Sequence, residues 1–262
     1  MQPIQSAQNA AFQRLLTLAK ESKERQSAQL LLAEGPHLAA EAMQAGLAQQ
    51  VWATPEALAD PEEGPALEHQ AKLSKVPVGV MGASLLARLC DTRQPQGWLT
   101  VVRRPVNKGS ELTLWLALDG LQDPGNLGTL IRCAWAAKAG VLIGPGSADA
   151  WAPKVIRSAA GAHFVVPIQE TADLSSSLKA LQARGFKLAA ADPRGDLVYT
   201  KAALKGPTVL ILGAEGAGLS QDVLNLSQER LKIAYPGGAE SLNAAISGSL
   251  LLFEALRQRS ET

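Results

Sequence analysis

The sequence predicts an α/β protein of two domains, the second of which is built on a parallel sheet. At 262 residues the chain is long enough for two domains of ordinary size. Short apolar runs alternate with helical segments through its second half, a pattern typical of a parallel sheet covered on both faces. Apolar residues make up 47% of the chain and charged residues 19%, which indicates a folded globular protein.

The first half begins with an amphipathic helix and continues as a small set of strands and helices. Residues 7–20 place apolar side chains at helical spacing, and a charged stretch follows at 21–26. The expected strands are 28–33, 50–53, 76–81 and 98–102, the further helices are 37–45 and 84–90, and 60–65 is expected to be an acidic loop. We therefore predict an α/β domain at residues 1–104 and a linker at 105–110, within the aperiodic stretch RRPVNKGS.

Residues 111–262 are expected to form the second domain. Its expected strands are 112–118, 141–143, 164–168, 186–191, 208–212 and 233–235, and its expected helices are 127–139, 152–160, 174–183, 220–226 and a long one that ends near the C-terminus. Ligands of such sheets bind beyond the carboxyl ends of the strands. Three loops with unusual polar or glycine content lie there.

The charge balance argues weakly against a nucleic-acid role. Lys and Arg number 25 against 24 Asp and Glu, a net charge of +1, whereas nucleic-acid binders usually carry a basic excess. Any RNA contact must therefore come from a local cluster. The candidate cluster is Arg14, Lys20, Lys23 and Arg25. A solvated helix face explains the same charges equally well.

The cysteine and histidine content and the hydropathy argue against metal, disulfide-rich and membrane proteins. The two cysteines, Cys90 and Cys133, form no metal-ligand or disulfide pattern, and with only three histidines we expect no metal site. No apolar run approaches the length of a membrane span, and the N-terminal residues contain no apolar signal core. We therefore expect a cytoplasmic protein without a membrane anchor.

The first of the three loops runs from Asp119 into the helix that follows. Asp123-Pro124-Gly125 predicts a turn, and Asn126 can cap the helix. Arg132 stands in an otherwise apolar stretch, six residues or about 600° of helical rotation beyond Asn126, so the two lie well apart around the axis. An arginine that extends to water from an apolar helix is the structural alternative.

The second loop follows the strand at 208–212 and is rich in glycine. Glycines at 213, 216 and 218 favour a backbone that approaches a ligand closely. Their order, G-x-x-G-x-G, differs from the dinucleotide pattern G-x-G-x-x-G, and no G-K-[ST] follows, so a Rossmann site and a P-loop are both excluded. A structural turn remains the alternative.

The third loop opens the C-terminal helix. A Pro-Gly-Gly break at 236–238 precedes Glu240, Ser241 and Asn243, where a helix has unpaired N–H groups and the positive end of its dipole. We predict Ser241 as the N-cap. A helix cap does not require Glu240 and Asn243 in addition to Ser241, so this third loop is predicted to bind a ligand.

The three loops together carry the motifs N-L-G-x-x-I-R at 126–132, L-G-x-E-G-x-G-L at 212–219 and E-S-L-N at 240–243. In this order they resemble the SpoU/TrmH family of RNA ribose 2′-O-methyltransferases, of the SPOUT class. Residues 30–46, LLLAEGPHLAAEAMQAG, are similar to the strand, E-G turn and helix of that family's substrate-binding domain, a small α/β fold related to ribosomal RNA-binding proteins.

The resemblance implies a deep trefoil knot in the second domain, a homodimer formed through it, and S-adenosylmethionine held in the knot. The implied catalytic positions are Arg132, Asn126, Glu215, Ser241 and Asn243. The implied cofactor positions are Leu212, Gly213, Gly216, Ile233, Tyr235, Leu242 and Asn243. The chain departs from the family at Ala234-Tyr235, where a Pro-Met pair is usual.

The leading hypothesis is therefore methyl transfer from S-adenosylmethionine to a ribose 2′-hydroxyl in RNA, with 23S ribosomal RNA as the first candidate. A tRNA-directed enzyme of the same class is one alternative. A non-catalytic RNA-binding protein that retains the fold is the other, and the near-neutral charge favours it slightly. The sequence does not reveal which nucleotide is modified. Arg132 is expected to orient the substrate and stabilise developing negative charge, because a guanidinium is a poor base.

Overall fold

A computed structural model describes residues 2–106, 109–234, 237 and 242–260. The chain divides into two compact units. The first comprises Met1–Pro105 and Asp149–Phe164, and the second comprises Val106–Ala148 and Val165–Thr262. Residues 149–164, expected in the second domain, pack within the first unit.

The first unit is built on a four-stranded mixed sheet. Its strands are β1 (Leu30–Glu34), β2 (Ala48–Ala53), β3 (Val78–Val80) and β4 (Trp98–Arg103). Their order is β1-β4-β2-β3, with β4 antiparallel to both neighbours and β3 parallel to β2. Phe12, Leu32, Trp52 and Leu99 are buried in its core.

Seven helices belong to this unit within the described part of the chain. They are α1 (Ala10–Lys20), α2 (Ser22–Ala28), α3 (Pro36–Gln44), α4 (Pro55–Ala59), α5 (Glu63–Leu73), α6 (Ala83–Ala87) and, from the later stretch, α8 (Pro153–Ala159). The expected acidic loop at 60–65 is wrong in its second half, where α5 begins. Asp60 remains in the connection between α4 and α5, where its carboxylate accepts hydrogen bonds from the backbone N–H groups of Glu62 and Glu63.

The second unit contains a seven-stranded parallel sheet, which confirms the predicted fold class. Its strands are β5 (Leu114–Asp119), β6 (Gly140–Ile143), β7 (Ile168–Glu170), β8 (Lys187–Ala191), β9 (Leu197–Val198), β10 (Thr208–Gly213) and β11 (Glu229–Lys232). Their order is β7-β6-β5-β10-β8-β11-β9, and every ladder is parallel. The helices of this unit are α7 (Pro124–Ala136), α9 (Leu174–Ala183), α10 (Gln221–Leu226) and α11 (Ala244–Ser260).

Two expected strands of this unit are misplaced. The strand expected at 164–168 begins only at its last residue, as β7, and its first residue ends a short 3-10 helix, Ala162–Phe164. The strand expected at 233–235 lies earlier, in β11, whose mixed charged and apolar residues conceal it. Tyr235 lies outside the described residues.

Helix α11 packs closely on α7 and β10. A Cβ atom at Gly248 would lie 2.4 Å from Leu130 Cδ2 and 2.5 Å from Leu212 Cδ1, so only glycine fits there without a shift. The Sγ atom of Cys133 lies 3.1 Å from the Ser249 hydroxyl oxygen. These contacts fix the start of α11 beside the loops that follow β5 and β10.

Candidate active site

The candidate site lies at the carboxyl ends of four adjacent strands, β5, β10, β8 and β11. In an open parallel sheet this edge is where ligands bind. The loop after β5 leads into α7, and the loop after β10 leads into α10. The chain beyond β11 leads to α11. The three loops with unusual polar or glycine content were predicted to lie at this same edge.

The first loop is fixed by an aspartate cap. The Asp123 carboxylate accepts a hydrogen bond from the backbone N–H of Asn126 at 2.7 Å, and Pro124 occupies the first turn of α7. The expectation that Asn126 caps the helix is therefore wrong. Because Asp123 takes that role, the Asn126 side chain is free to reach another loop.

The glycine-rich loop after β10 is a tight structure. Its two ends pair through the Ala214 and Gly218 backbones, with N–O distances of 3.1 and 2.9 Å. A Cβ atom at Gly213 would lie 2.2 Å from the Gly218 carbonyl carbon, which excludes any larger residue. The Asp119 carboxylate accepts a hydrogen bond from the Ser220 N–H at 2.8 Å and ties the far end of the loop to β5.

The third loop meets the other two through Asn243. Its Oδ1 atom accepts hydrogen bonds from the N–H groups of Ala245 at 2.9 Å and Ile246 at 3.2 Å, so Asn243 caps α11. Ser241, predicted as the cap and as a catalytic residue, lies outside the described residues.

Asn126 joins all three loops. Asn243 Nδ2 donates a hydrogen bond to Asn126 Oδ1 at 3.0 Å, and Asn126 Nδ2 donates one to Glu215 Oε1 at 2.7 Å. The three residues come from separate motifs and form one chain of side-chain hydrogen bonds. The structure thus brings together three of the five predicted catalytic positions.

A cavity of about 530 Å³ adjoins this chain of hydrogen bonds. Its volume lies within the range typical of small-molecule sites. The predicted cofactor residues Leu212, Gly213, Gly216, Ile233, Leu242 and Asn243 line it. Tyr235, the remaining predicted cofactor residue, lies outside the described part of the chain.

The lining residues that were not predicted as site residues include three consecutive ones, Ala191, Asp192 and Pro193. They end β8 and begin the loop after it. The expected strand at 186–191 and the rule that ligands bind beyond strand ends would have found them. Asp192 is the one charged residue of the three, and its side chain is only 5% exposed.

Arg132 stands apart from this constellation. It lies on the exposed face of α7, and among the residues that the structure describes it makes no hydrogen bond or ion pair. Trp135, three residues further on and 40% exposed, shares this face. Within a single chain, Arg132 therefore matches the structural alternative, an arginine that extends from an apolar helix to water.

The expected basic cluster in the first unit loses one member. Arg14, Lys20 and Lys23 are exposed, but Arg25 is 4% exposed. The Arg25 guanidinium donates to the Asp149 carboxylate, with Nη2–Oδ2 2.5 Å and Nε–Oδ2 3.2 Å. Its Nη1 atom donates to the Leu18 carbonyl at 2.7 Å. Arg25 is therefore a buried structural residue and is not available to a phosphate.

No group of three or more His, Cys, Asp or Glu side chains within the described residues could hold a metal ion. None of the described helices is both long and apolar enough to cross a membrane.

Comparison with known families identifies the chain. Residues 113–253 match the SpoU rRNA Methylase family. The chain belongs to the SpoU rRNA methylase family. Residues 9–100 match a second family, the MRM3-like substrate binding domain. The SpoU match spans the parallel sheet and all three loops of the candidate site.

Individual relatives agree with this assignment, two of them over 97% of this chain. The 23S rRNA (guanosine(2553)-2′-O)-methyltransferase RlmP of Bacillus subtilis is 31% identical, over 97% of this chain and 98% of its own. The 23S rRNA (guanosine-2′-O-)-methyltransferase RlmB of Pseudomonas aeruginosa is 35% identical, over 59% of this chain and 63% of its own. The structure of the SpoU methyltransferase AviRb from Streptomyces viridochromogenes, in complex with AdoMet, superposes with a TM-score of 0.84 at 27% identity, covering 97% of this chain and 100% of AviRb.

Proposed function

We propose that this SpoU protein transfers a methyl group from S-adenosylmethionine to a ribose 2′-hydroxyl in RNA, with 23S ribosomal RNA as the substrate. The hydrogen-bonded chain Asn243–Asn126–Glu215 at the edge of the cavity carries the proposal. It unites the three motifs that the family shares. Relatives named as 23S rRNA 2′-O-methyltransferases support the substrate class.

The cavity suits an elongated cofactor held by backbone. Gly216 and Gly218 leave part of one wall without side chains, so a ligand can approach their peptide groups, whereas Gly213 lets the loop close on itself. Asp192 lies in the cavity wall, where its carboxylate places a negative charge close to a bound ligand. S-adenosylmethionine, when bound, supplies a sulfonium-activated methyl group that a ribose oxygen takes while the hydroxyl proton passes to solvent. The residues of the chain are thus left mainly with the task of positioning.

We propose distinct roles for the catalytic positions. Asn126 and Asn243 hold the loops in register, and Glu215 anchors the glycine-rich loop to them. Arg132 orients the RNA and stabilises negative charge that develops on the 2′-oxygen, since a guanidinium keeps its proton. Ser241 is proposed to fix the loop before the C-terminal helix by hydrogen bonds.

We also propose a homodimer through the second unit. Ile246 and Phe253 are 53% and 48% exposed on α11, seven positions and so about two turns apart on one face. Partner coverage of this apolar face would remove it from water. It would also give the exposed Arg132 an environment that a single chain does not provide. The trefoil knot implied by the family resemblance is part of the same proposal.

The first unit is proposed to bind the RNA substrate. Its match to the MRM3-like substrate binding domain supports this, and the exposed Arg14, Lys20 and Lys23 supply positive charge. We propose the cytoplasm as the location of the reaction, because the proposed substrate is ribosomal RNA.

The deciding experiment measures methyl transfer from labelled S-adenosylmethionine to 23S rRNA and to tRNA in parallel, followed by mapping of 2′-O-methyl positions in RNA from cells with and without the gene. Label on 23S rRNA, with one ribose methylation lost in the deletion strain, is the expected result. Label on tRNA alone would show that tRNA, and not 23S rRNA, is the substrate. RNA binding without cofactor binding would establish the non-catalytic alternative.

A further inference from the structure

Asp192 places a buried negative charge against the cofactor cavity. Its Oδ1 atom accepts a hydrogen bond from the backbone N–H of Arg194 at 2.9 Å. Its Oδ2 atom is buried and has no hydrogen-bond partner within the part of the chain that the structure describes. The carboxylate therefore lies within the cavity wall, where its Oδ2 atom has no described hydrogen bond to stabilise its charge.

The rest of the lining does not neutralise this charge. The charged residues that line the cavity among the described residues are Asp192 and Glu215, and no Lys or Arg lines it. The Arg194 Nε atom lies 3.5 Å from Asp192 Oδ1, but its side chain is 85% exposed, so water screens its charge. The charged side chains that line the cavity within the described residues are therefore all acidic.

We propose that Asp192 makes this cavity select the cationic methyl donor over its neutral product. The inference rests on the proposed function. S-adenosylmethionine carries a sulfonium and an ammonium against one carboxylate, a net charge of +1, whereas S-adenosylhomocysteine has lost the sulfonium charge and is net neutral. A carboxylate in a partly buried site attracts the first more strongly, because Coulomb interactions there are screened less than in water.

This selection assigns Asp192 the role of a positioning residue. Its charge stabilises the bound donor, and that stabilisation is lost once the methyl group has left. Because the donor loses positive charge on the way to the transition state, the carboxylate stabilises the ground state more than the transition state. Removal of the Asp192 charge should therefore raise KM for the donor without lowering kcat. In the native protein, the product lacks the sulfonium charge that Asp192 attracts, so its release should be easier.

Asp192→Asn tests the inference, since it keeps the Oδ1 acceptor for Arg194 and removes only the charge. Calorimetry on the full chain would measure binding of S-adenosylmethionine, S-adenosylhomocysteine and sinefungin, an analogue with an ammonium in place of the sulfonium. We expect the two cations to bind about tenfold more weakly, which corresponds to about 1.4 kcal/mol, and the neutral product to change less than about twofold. Asp196→Asn is the matched control, an exposed acid on the same loop that does not line the cavity.

Equal weakening of all three ligands, or no change in any, would overturn the inference, as would a fall in kcat at constant KM. Should Asp192→Asn fail to fold, the native protein still decides. Added salt should weaken binding of the donor more than that of the product, and an equal salt dependence would contradict the proposal. A native protein that binds neither ligand refutes the proposed function itself, and the inference falls with it.

Discussion

Asn126 Nδ2 lies 2.7 Å from Glu215 Oε1, although the two residues are 89 positions apart in the chain. The direction of this hydrogen bond is set at α11. The helix N–H groups require the oxygen of Asn243 to face them, so its amide nitrogen donates to Asn126 Oδ1. Asn126 must then present its own nitrogen to residue 215. A helix cap thus determines the donor and acceptor pattern across three loops.

Asn126→Asp should therefore abolish most of the activity. The new carboxylate would face that of Glu215 at hydrogen-bond distance and would also lose the donor, so the loops should separate. We expect methyl transfer to fall at least about a hundredfold and the free energy of unfolding to fall by about 1–3 kcal/mol. Single-turnover methylation and denaturant unfolding measure the two effects.

The matched control for that change is Asn225→Asp on α10. Asn225 is exposed, and its Oδ1 accepts a hydrogen bond from Gln221 at 2.8 Å, a role that aspartate keeps. Equal losses in the two variants would show that added charge alone, and not the contact with Glu215, is responsible.

Glu215→Gln should be tolerated better than Glu215→Ala. Glutamine retains an oxygen that can accept from Asn126 Nδ2, whereas alanine leaves that donor unpaired. We expect the alanine variant to lose about tenfold more kcat than the glutamine variant. Initial-rate kinetics with RNA in excess decide this, and indistinguishable variants would mean that the negative charge, not the hydrogen bond, is required.

Gly213→Ala should disrupt the cofactor site. The added methyl would fall 2.2 Å from the Gly218 carbonyl carbon, and backbone cannot yield as a flexible side chain does. We expect S-adenosylmethionine binding to be lost by calorimetry and Tm to fall by several degrees. Gly206→Ala, where a Cβ meets nothing within 4 Å, is the control and should bind normally.

Substitutions of Arg25 and Lys23 should have different effects, the first on stability and the second on RNA binding. Arg25→Gln removes one partner of a buried ion pair and should cost about 3–5 kcal/mol of unfolding free energy. Lys23→Gln changes an exposed charge and should leave stability unaltered while lowering the salt dependence of RNA binding. Unfolding curves and binding titrations at several salt concentrations check both. An unchanged salt slope for Lys23→Gln would make that helix a solvated face.

Stability should decline as pH falls below about 6.5, the ordinary pKa of histidine, because of His163. Burial lowers the pKa of this side chain to about 4, although a hydrogen bond to the Ala150 carbonyl and the charge of Asp149 oppose the shift. The folded state therefore resists a proton that the unfolded chain accepts, and stability present above pH 6.5 is lost progressively toward pH 4. His163→Asn should flatten this part of the profile, as measured by Tm against pH. A wild-type Tm that is constant from pH 7 to 4.5 would contradict the assignment.

Local signals were sufficient for the parallel sheet and for the three loops of the site. Apolar runs flanked by glycine and proline placed β5, β8 and β10 within about two residues, because strands of such a sheet are buried on both faces. The motif residues Asn126, Glu215 and Asn243 were found by their order along the chain. Their hydrogen bonds were not, since these depend on which loops the sheet brings together.

Other features depended on long-range contacts that no local pattern encodes. Arg25 reads as a surface charge among other charges, and only the distant Asp149 makes it a buried residue. Asp192 follows an ordinary strand and has no motif around it. Its importance comes from the cavity formed by residues up to 55 positions further along the chain, of which Ser247 is the last.

The division of the first unit between Met1–Pro105 and Asp149–Phe164 bears on how the protein is made. Helix α8 of the second stretch packs on β1 and buries Val155 and Ile156, and Asp149 neutralises Arg25. A ribosome that has released residue 105 has therefore not yet supplied all of the first unit. The N-terminal unit must wait for residue 164 before it can reach its native state during synthesis, so N-terminal position does not make it the first to finish folding. Fragments for expression that end at the apparent linker would omit the same residues.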